Sequence, residues 1–430
     1  MRWGQPTGAA PAGSDGGTGR GAASGAATVR GRGRITLVAL AAAIVACGAP
    51  ESGPDTDGLD TEKAAAAGSA AAETGLGFLE DRDVYRPQFA SGADGSLYIV
   101  WRERGEERGG NLYISRYGEG GVFEPQVQIN DVPGSVGGSS LDEERASVAI
   151  GDNGVIAVAW TARGSDIRAA LSTDAGESFA PSVVLNSDEG ARAYRGFVDI
   201  DVDATGIAHA AWIDARFAPP RAEEPADLYY ARIEDGEVTE INLTEDQIDS
   251  ICACCRIDVD VRADNRLVIA FRNTGEGYRD IWRIEAGADH VFGAPARLGP
   301  PMWELRGCPV IGPLNVGEAT LWSEASTGKR RILVATDTES DYEVVVEDTD
   351  AWAIERPPRL VAGSDSSAMM MLLLPGRPSG VILGGAGMDW AVIAEDVPRW
   401  AMSAAVIDGS LVVIGDLNGE FLAEFHQLGG

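Results

Sequence analysis

Beyond residue 80, apolar and polar residues alternate in short runs, and turn residues separate the runs. An alternation with a period of two predicts β-strands that bury one face. Asp152-Asn153-Gly154 and Ala204-Thr205-Gly206 each interrupt a pair of such runs and are typical of tight hairpin turns. After Cys47, no apolar set recurs at helical spacing for three turns. The pattern therefore predicts an all-β body.

The strand pairs form a repeat with a period of 51 to 59 residues. In the first four copies an arginine opens the first strand, and two further short strands follow the pair. The second strand of each copy runs into an aromatic anchor, in order Trp101, Trp160, Trp212, Phe271 and Trp322. Four strands at this period are typical of one β-propeller blade, which buries its faces only against neighbouring blades. Residues 81–430 have room for six blades, although the material of the sixth, from Met369 to Gly415, lacks the arginine-led copy.

The N-terminus has the pattern of an export signal. A basic segment up to Arg34 precedes a 13-residue apolar run that ends at Cys47, and a spanning helix needs about 18 residues. The ending Ile44-Val45-Ala46-Cys47 resembles the lipobox of bacterial lipoproteins, which implies cleavage before Cys47 and acylation of its sulfur. Release of a soluble protein is the alternative. We expect a signal peptide over residues 1–46, a flexible tether over 47–80 and an exported, membrane-anchored protein on the periplasmic or cell-surface side.

Composition and charge exclude several classes of protein. The 35 basic and 66 acidic side chains give a net charge of −31, which argues against a nucleic-acid partner. A hydrophobic fraction of 44% excludes a wholly disordered chain and a multi-span membrane protein. The sequence contains no Gly-x-Ser-x-Gly, His-Glu-x-x-His or P-loop motif. No cofactor is predicted, and the oligomeric state is left open.

The segment Ser172-Thr173-Asp174-Ala175-Gly176-Glu177-Ser178-Phe179 resembles the Asp box, Ser-x-Asp-x-Gly-x-Thr-aromatic, of sialidases and related propellers. Degraded copies end at Phe123 and Phe292, at the same place in two other blades. Together with the blade period, the chain resembles a sialidase-like six-bladed β-propeller over residues 81–430. The resemblance implies that Asp174 shapes a hairpin away from the active face and is not catalytic.

Sialidases hold the substrate carboxylate with three arginines, and Tyr85-Arg86-Pro87 resembles their Phe/Tyr-Arg-Ile-Pro motif without its Ile. Arginine forks pair bidentately with carboxylates. Four arginines share one register at the start of inner strands and would surround the mouth of the axial channel: Arg86, Arg145, Arg195 and Arg256. We predict that they bind a glycan or another anionic ligand. The alternative is that they pair with carboxylates between blades.

Catalysis has weaker support. The nucleophilic Tyr of sialidases comes from near the end of the propeller, whereas the last tyrosine here is Tyr342. The first blade has no Asp that matches the acid/base position, because Asp94 lies in a hairpin turn. Exo-α-sialidase activity is therefore uncertain, and no catalytic residue is assigned. A suitably spaced carboxylate pair would still permit glycoside cleavage, with Glu143, Glu144 and Glu223 as candidates.

Four cysteines remain after Cys47. Cys252, Cys254 and Cys255 precede the fourth blade, and Cys308 precedes the fifth. Export favours two disulfides among them. A thiolate site for zinc or Cu(I), or a mixed or redox-active arrangement, is the alternative.

The alternating Asp199, Asp201 and Asp203 imitate a calcium loop. Strand register puts all three on one face, so we predict a solvated or interblade row and keep calcium as the alternative. His209 lies within an alternating strand and is expected to be structural.

The leading hypothesis is a membrane-tethered protein that binds or processes acidic glycans, and the missing Tyr favours binding. The alternatives are a non-enzymatic protein-interaction scaffold and a thiolate metal-binding protein.

Overall fold

The computed structural model describes residues 75–105, 109–137, 146–163, 166–219, 225–274, 279–299, 312–324, 330–336, 342–348, 359–362, 368–372, 380–386, 389–398, 400–417 and 419–426. Within them the chain forms 28 strands and one short 3-10 helix, Gly77–Leu79. No helix in these ranges has the length and apolar character needed to cross a membrane. The predicted signal, Cys47 and most of the tether lie outside the described residues, and those assignments stay predictions.

The strands form six sheets, the blades of a six-bladed β-propeller, as the repeat predicts. In blades 2 to 5 the four strands follow one another antiparallel in chain order, and in blade 1 the fifth strand pairs with the third. Blade 1 contains β1 (Val84–Ser91), β2 (Leu97–Arg104), β3 (Gly110–Gly118), β4 (Val122–Phe123) and β5 (Val127–Gln128). Blade 2 contains β6 (Ser147–Ile150), β7 (Ile156–Thr161), β8 (Ile167–Ser172) and β9 (Val183–Val184). Blade 3 contains β10 (Arg195–Val202), β11 (Ala208–Asp214), β12 (Asp227–Glu234) and β13 (Glu237–Asn242).

Blade 4 contains β14 (Asp258–Val261), β15 (Leu267–Arg272), β16 (Ile281–Ala286) and β17 (Ala296–Leu298). Blade 5 contains β18 (Leu314–Val316), β19 (Ala319–Glu324), β20 (Arg330–Ala335) and β21 (Glu343–Asp348). The sixth sheet contains β22 (Arg359–Ala362), β23 (Ala368–Leu372), β24 (Gly380–Ala386), β25 (Asp389–Val397), β26 (Ala401–Ile407), β27 (Ser410–Leu417) and β28 (Glu420–His426). A parallel pair between β22 and β26 joins its two meanders. This sheet is wider than the predicted sixth blade, which covers only Met369 to Gly415.

The last strands close against the first blade. The backbone amide of Val84 donates to the Gly419 carbonyl at 3.0 Å, and that of Phe89 donates to Ser403 Oγ, also at 3.0 Å. Side chains of β2 and of β26 to β28 share one apolar cluster. The C-terminal meander therefore covers the face of blade 1 that would otherwise be open.

The repeated aromatic anchors occupy the predicted place. All five lie on the second strand of their blade and are at most 2% exposed. Because an indole or phenyl ring buries a large apolar area, one anchor per blade contributes a major part of each core between blades. The spacing of the aromatic residues in the sequence therefore equals the spacing at which successive blades contribute a buried residue to the cores between blades.

Candidate functional site

A central cavity of about 780 Å³ runs between the inner strands. Its wall includes residues from β1, β6, β10, β14, β18 and β22, together with Ser403 of β26. The volume is within the range of small-molecule sites. The polar part of the lining comprises Gln88, Ser91, Ser147, Asp199, Asp201, Arg256, Asp258, Asp260, Asn315, Arg359 and Ser403.

Carboxylates in this wall link one blade to the next. Asp199 Oδ2 accepts from the Val259 amide at 2.8 Å, and Asp201 Oδ2 accepts from the Val261 amide at 2.7 Å. Asp258 makes the same kind of bond to the Asn315 amide of blade 5, at 2.7 Å. These contacts agree with the interblade interpretation of Asp199 and Asp201. Asp203 makes no such bond to a backbone amide of blade 4 in the described residues: its Oδ1 accepts hydrogen bonds within its own turn, and its Oδ2 faces His209 and His290.

Burial alters the charge of the cavity wall. It raises the pKa of Asp201 to about 8, and it raises the pKa values of Asp258 and Asp260 as well. Asp199 adds to the effect on Asp258 because two nearby carboxylates resist ionising together. Protonated carboxyl groups donate as well as accept hydrogen bonds. The wall therefore offers both donors and acceptors and is less anionic than its four aspartates suggest.

The four predicted arginines do not meet at one mouth. Arg256 lines the cavity, whereas Arg195 is fully buried outside the lining, with Nε 2.8 Å from Asp214 Oδ2 and Nη2 2.5 Å from Asp188 Oδ2. Its placement matches the alternative of pairing with carboxylates. Arg86 also lies outside the lining, in a left-handed conformation with φ of 53°, and its backbone amide donates to Asp416. Arg145 lies outside the described residues, so ligand binding by this set stays a prediction.

A second cavity arginine was missed in the sequence. Arg359 opens β22 and lines the wall with Arg256. Arg359 was not predicted because the sequence of the sixth sheet lacks the full repeat motif. The usable signal was an arginine that directly precedes the apolar run Leu360-Val361-Ala362.

The Asp-box turn has the structural role that the resemblance implies. Asp174 Oδ1 accepts from Ser172 Oγ at 2.7 Å and from the Ser178 amide at 2.9 Å, and Oδ2 accepts from Ser178 Oγ. Hydrogen bonds from Ser178 and Ser172 lower the pKa of Asp174 to about 2. The left-handed φ of 87° at Gly176 suits the glycine of the motif. Asp174 is outside the central cavity and shapes its own hairpin.

The predicted catalytic candidates, Glu143, Glu144 and Glu223, fall outside the described residues. Tyr342, the last tyrosine of the chain, lies next to β21 and packs against the apolar cluster around Trp322. No catalytic pair is assigned.

The cysteine cluster is buried just before β14. Cys252 Sγ lies 3.0 Å from Cys255 Sγ and 3.6 Å from Cys254 Sγ. Neither Cys252 nor Cys255 forms a disulfide bond, so the disulfides expected from the sequence are not formed at these two residues. A hydrogen bond with Cys255, together with burial, raises the pKa of the Cys252 thiol. Cys308 lies outside the described residues, and its pairing stays a prediction.

Repeated antiparallel blades around a polar axial cavity define a β-propeller. A family model described as "BNR repeat-containing family member" matches residues 60–289, more than half of the chain. The chain therefore belongs to the BNR repeat-containing family. No curated protein matches it.

Several solved structures are similar in fold. The Hadza microbial sialidase Hz136 has 11% identity and a TM-score of 0.39, over 84% of this chain and 67% of that one. A PL25 ulvan lyase bound to -[GlcA(1-4)Rha3S]- has 10% identity and a TM-score of 0.48, over 82% and 95%. A Dyadobacter fermentans protein of unknown function has 16% identity and a TM-score of 0.44, over 71% and 94%.

Proposed function

We propose that this protein is an envelope-tethered propeller that binds glycans in its central cavity. The observation that carries the proposal is a cavity of about 780 Å³ with a wall rich in polar groups. Sugar hydroxyl groups both donate and accept hydrogen bonds, so they suit a wall of hydroxyl, amide and protonated carboxyl groups. The binding role is favoured over turnover because no catalytic pair is assigned.

Arg256 and Arg359 support a preference for acidic sugars. Both arginines line the cavity, and raised carboxyl pKa values there reduce the opposing negative charge. A sugar carboxylate would gain bidentate hydrogen bonds from either fork. The proposed binding residues are therefore Arg256, which belongs to the predicted set of four arginines, and Arg359, which does not.

Membrane tethering is a separate part of the proposal. It is supported by the lipobox-like ending at Cys47 and by the basic and apolar segments before it. Metabolic labelling with a fatty acid should modify the full chain and should fail in Cys47→Ser. Equal labelling of that variant would exclude acylation at this cysteine.

The binding proposal is tested with the full chain in detergent and a panel of acidic and neutral glycans. Mass spectrometry scores both the retained ligand and any released sugar. We expect retention of acidic glycans without release, and a loss of at least about tenfold in affinity for Arg256→Ala and for Arg359→Ala. Arg192→Ala is the matched control, since Arg192 is exposed and outside the cavity lining.

The other outcomes are equally informative. Sugar release that disappears in Arg256→Ala would show a hydrolase and would overturn binding without turnover. Retention of neutral glycans alone would overturn the acidic preference. If no glycan is retained and no sugar is released, glycan binding is overturned and a protein-interaction scaffold is favoured.

A second candidate function is thiolate metal binding, which the close approach of Cys252 and Cys255 favours. It predicts a stoichiometric metal with a sulfur-ligand spectrum that Cys252→Ser removes. An intact mass four hydrogens below the fully reduced value would exclude it.

A further inference from the structure

Three metal-ligating side chains meet at the junction of blades 3 and 4, away from the central cavity and the cysteines. Asp203 follows the inner strand β10, His209 lies on β11, and His290 lies in the turn between β16 and β17. The potential ligand atoms of all three lie within 4.8 Å of one another. Residues far apart in sequence therefore converge at one point.

The distances suit coordination of one ion. Asp203 Oδ2 lies 3.4 Å from His209 Nε2 and 3.9 Å from His290 Nε2. Metal–ligand bonds of about 2.0 to 2.2 Å in a tetrahedral site put neighbouring ligand atoms about 3.4 Å apart. The Asp203–His209 pair already has this spacing, and the Asp203–His290 pair needs a movement of about half an ångström.

Surrounding hydrogen bonds orient two of the ligands. Asp203 Oδ1 accepts from the Thr205 amide, Thr205 Oγ1 and the Ile207 amide at 2.7 to 2.9 Å, which leaves Oδ2 directed at the imidazoles. His209 Nδ1 lies 2.7 Å from the Tyr230 hydroxyl, and this contact holds Nε2 toward Asp203. Such second partners are typical of metal-binding histidines and carboxylates.

His290 connects the cluster to solvent. Its side chain is 15% exposed, while those of Asp203 and His209 are almost fully buried. His290 has a left-handed φ of 55°, in a turn closed by its amide to the Gly287 carbonyl. Arg232 Nη1 lies 3.4 Å from His290 Nδ1, and Arg232 Nη2 pairs with Glu234 at 2.8 Å. Because coordination through Nε2 leaves the proton on Nδ1, this arginine opposes metal binding and must turn further toward Glu234.

We propose that Asp203, His209 and His290 bind one divalent transition-metal ion, with a further coordination position open to water at the His290 side. Two imidazoles and one carboxylate form a donor set that suits Zn²⁺ and neighbouring first-row ions. The ion would join the hairpin of β10 and β11 to the outer turn of blade 4. This proposal is independent of glycan binding.

Co²⁺ is the probe, added to the full chain after treatment with a chelator. Tetrahedral Co²⁺ gives visible d–d absorption, and a thiolate ligand adds a charge-transfer band in the near ultraviolet. We expect about one Co²⁺ per chain without the thiolate band. His290→Asn should lower the affinity at least about hundredfold, and Arg232→Gln should raise it.

Controls separate ligand loss from misfolding. Asn tolerates the left-handed backbone of residue 290, so the turn should survive in His290→Asn. His426→Asn, on β28, is the matched control and should bind Co²⁺ as the unmodified chain does. Co²⁺ should also raise the melting temperature of the unmodified chain but not that of His290→Asn.

Three results would overturn the proposal. Unchanged affinity in His290→Asn would remove His290 from the site. A thiolate band that disappears in Cys252→Ser would assign the ion to the cysteines. Absence of binding at millimolar Co²⁺ would leave the cluster as a set of hydrogen bonds.

Discussion

The two ends of the junction between blades 3 and 4 gather reactive side chains in different ways. At the end where the inner strands begin, the cysteines come from one loop, and Tyr194 of the neighbouring segment bonds to the Ala253 carbonyl. At the other end, Asp203, His209 and His290 come from three places in two blades. A local cluster is visible in a sequence, whereas a distributed cluster exists only after the blades pack.

The ends also differ in their electrostatics. Near the first end, Asp214 is fully buried and pairs with Arg195 and with Arg216, whose Nη2 lies 2.6 Å away. It also accepts from Trp212 Nε1 at 3.0 Å. At the other end, the main polar contacts are hydrogen bonds to the Asp203 carboxylate and the contact between His209 and the Tyr230 hydroxyl. Disruption of the first end should therefore cost more stability.

The largest expected effect comes from Asp214→Ala. Loss of this carboxylate removes one ion pair of the buried Arg195, which also pairs with Asp188, and we expect a loss of about 3 to 5 kcal/mol in unfolding free energy. Urea denaturation measures it, with Asp188→Ala as the milder control because Asp188 is partly exposed. A loss below about 1 kcal/mol would show that the ion pairs do not stabilise this end.

Thiol labelling tests whether the cysteine end is closed. Cys252 and Cys255 are each 1% exposed, and the Cys252 pKa is raised, so little reactive thiolate is accessible. We expect the two to react with iodoacetamide at least about a hundredfold more slowly in the folded chain than in urea. Similar rates in both states would mean that the loop opens readily.

Tyr230→Phe tests the opposite end with a smaller change. The variant loses the hydroxyl bonded to His209 Nδ1 and keeps the ring, so the expected loss is about 0.5 to 1.5 kcal/mol. Tyr229→Phe on the same strand is the control, because its hydroxyl has no hydrogen bond within the described ranges. Equal effects of both variants would argue against a specific role for the Tyr230 hydroxyl.

The last expected effect concerns pH, at Asp201 between the two ends. Burial raises its folded-state pKa to about 8, so the native carboxyl holds a proton that the unfolded chain releases at lower pH. The unfolded state then binds fewer protons, and stability should fall as the pH rises from about 4 to 8. Asp201→Asn should reduce this slope in denaturation measured across the range. An unchanged slope would show that Asp201 does not cause it.

Sequence reasoning was strongest where one residue type repeats with one role. The aromatic anchors and the Asp174 turn were predicted because each depends on neighbours within its own blade. The arginine register was less informative. Arg195 and Arg256 occupy equivalent positions in the repeat, but Arg195 pairs with Asp214 and Asp188 and does not line the cavity. No periodicity in the sequence reveals this pairing.

The all-β class, the repeat and the aromatic positions can be predicted from the amino-acid sequence, since alternation and period reflect burial within each blade. The set of polar side chains that share a site depends on how the blades pack. Arg359 reaches the cavity because β22 is an inner strand, and His290 reaches Asp203 because blade 4 packs against blade 3. Such contacts depend on packing between blades, which short-range patterns in the chain do not encode.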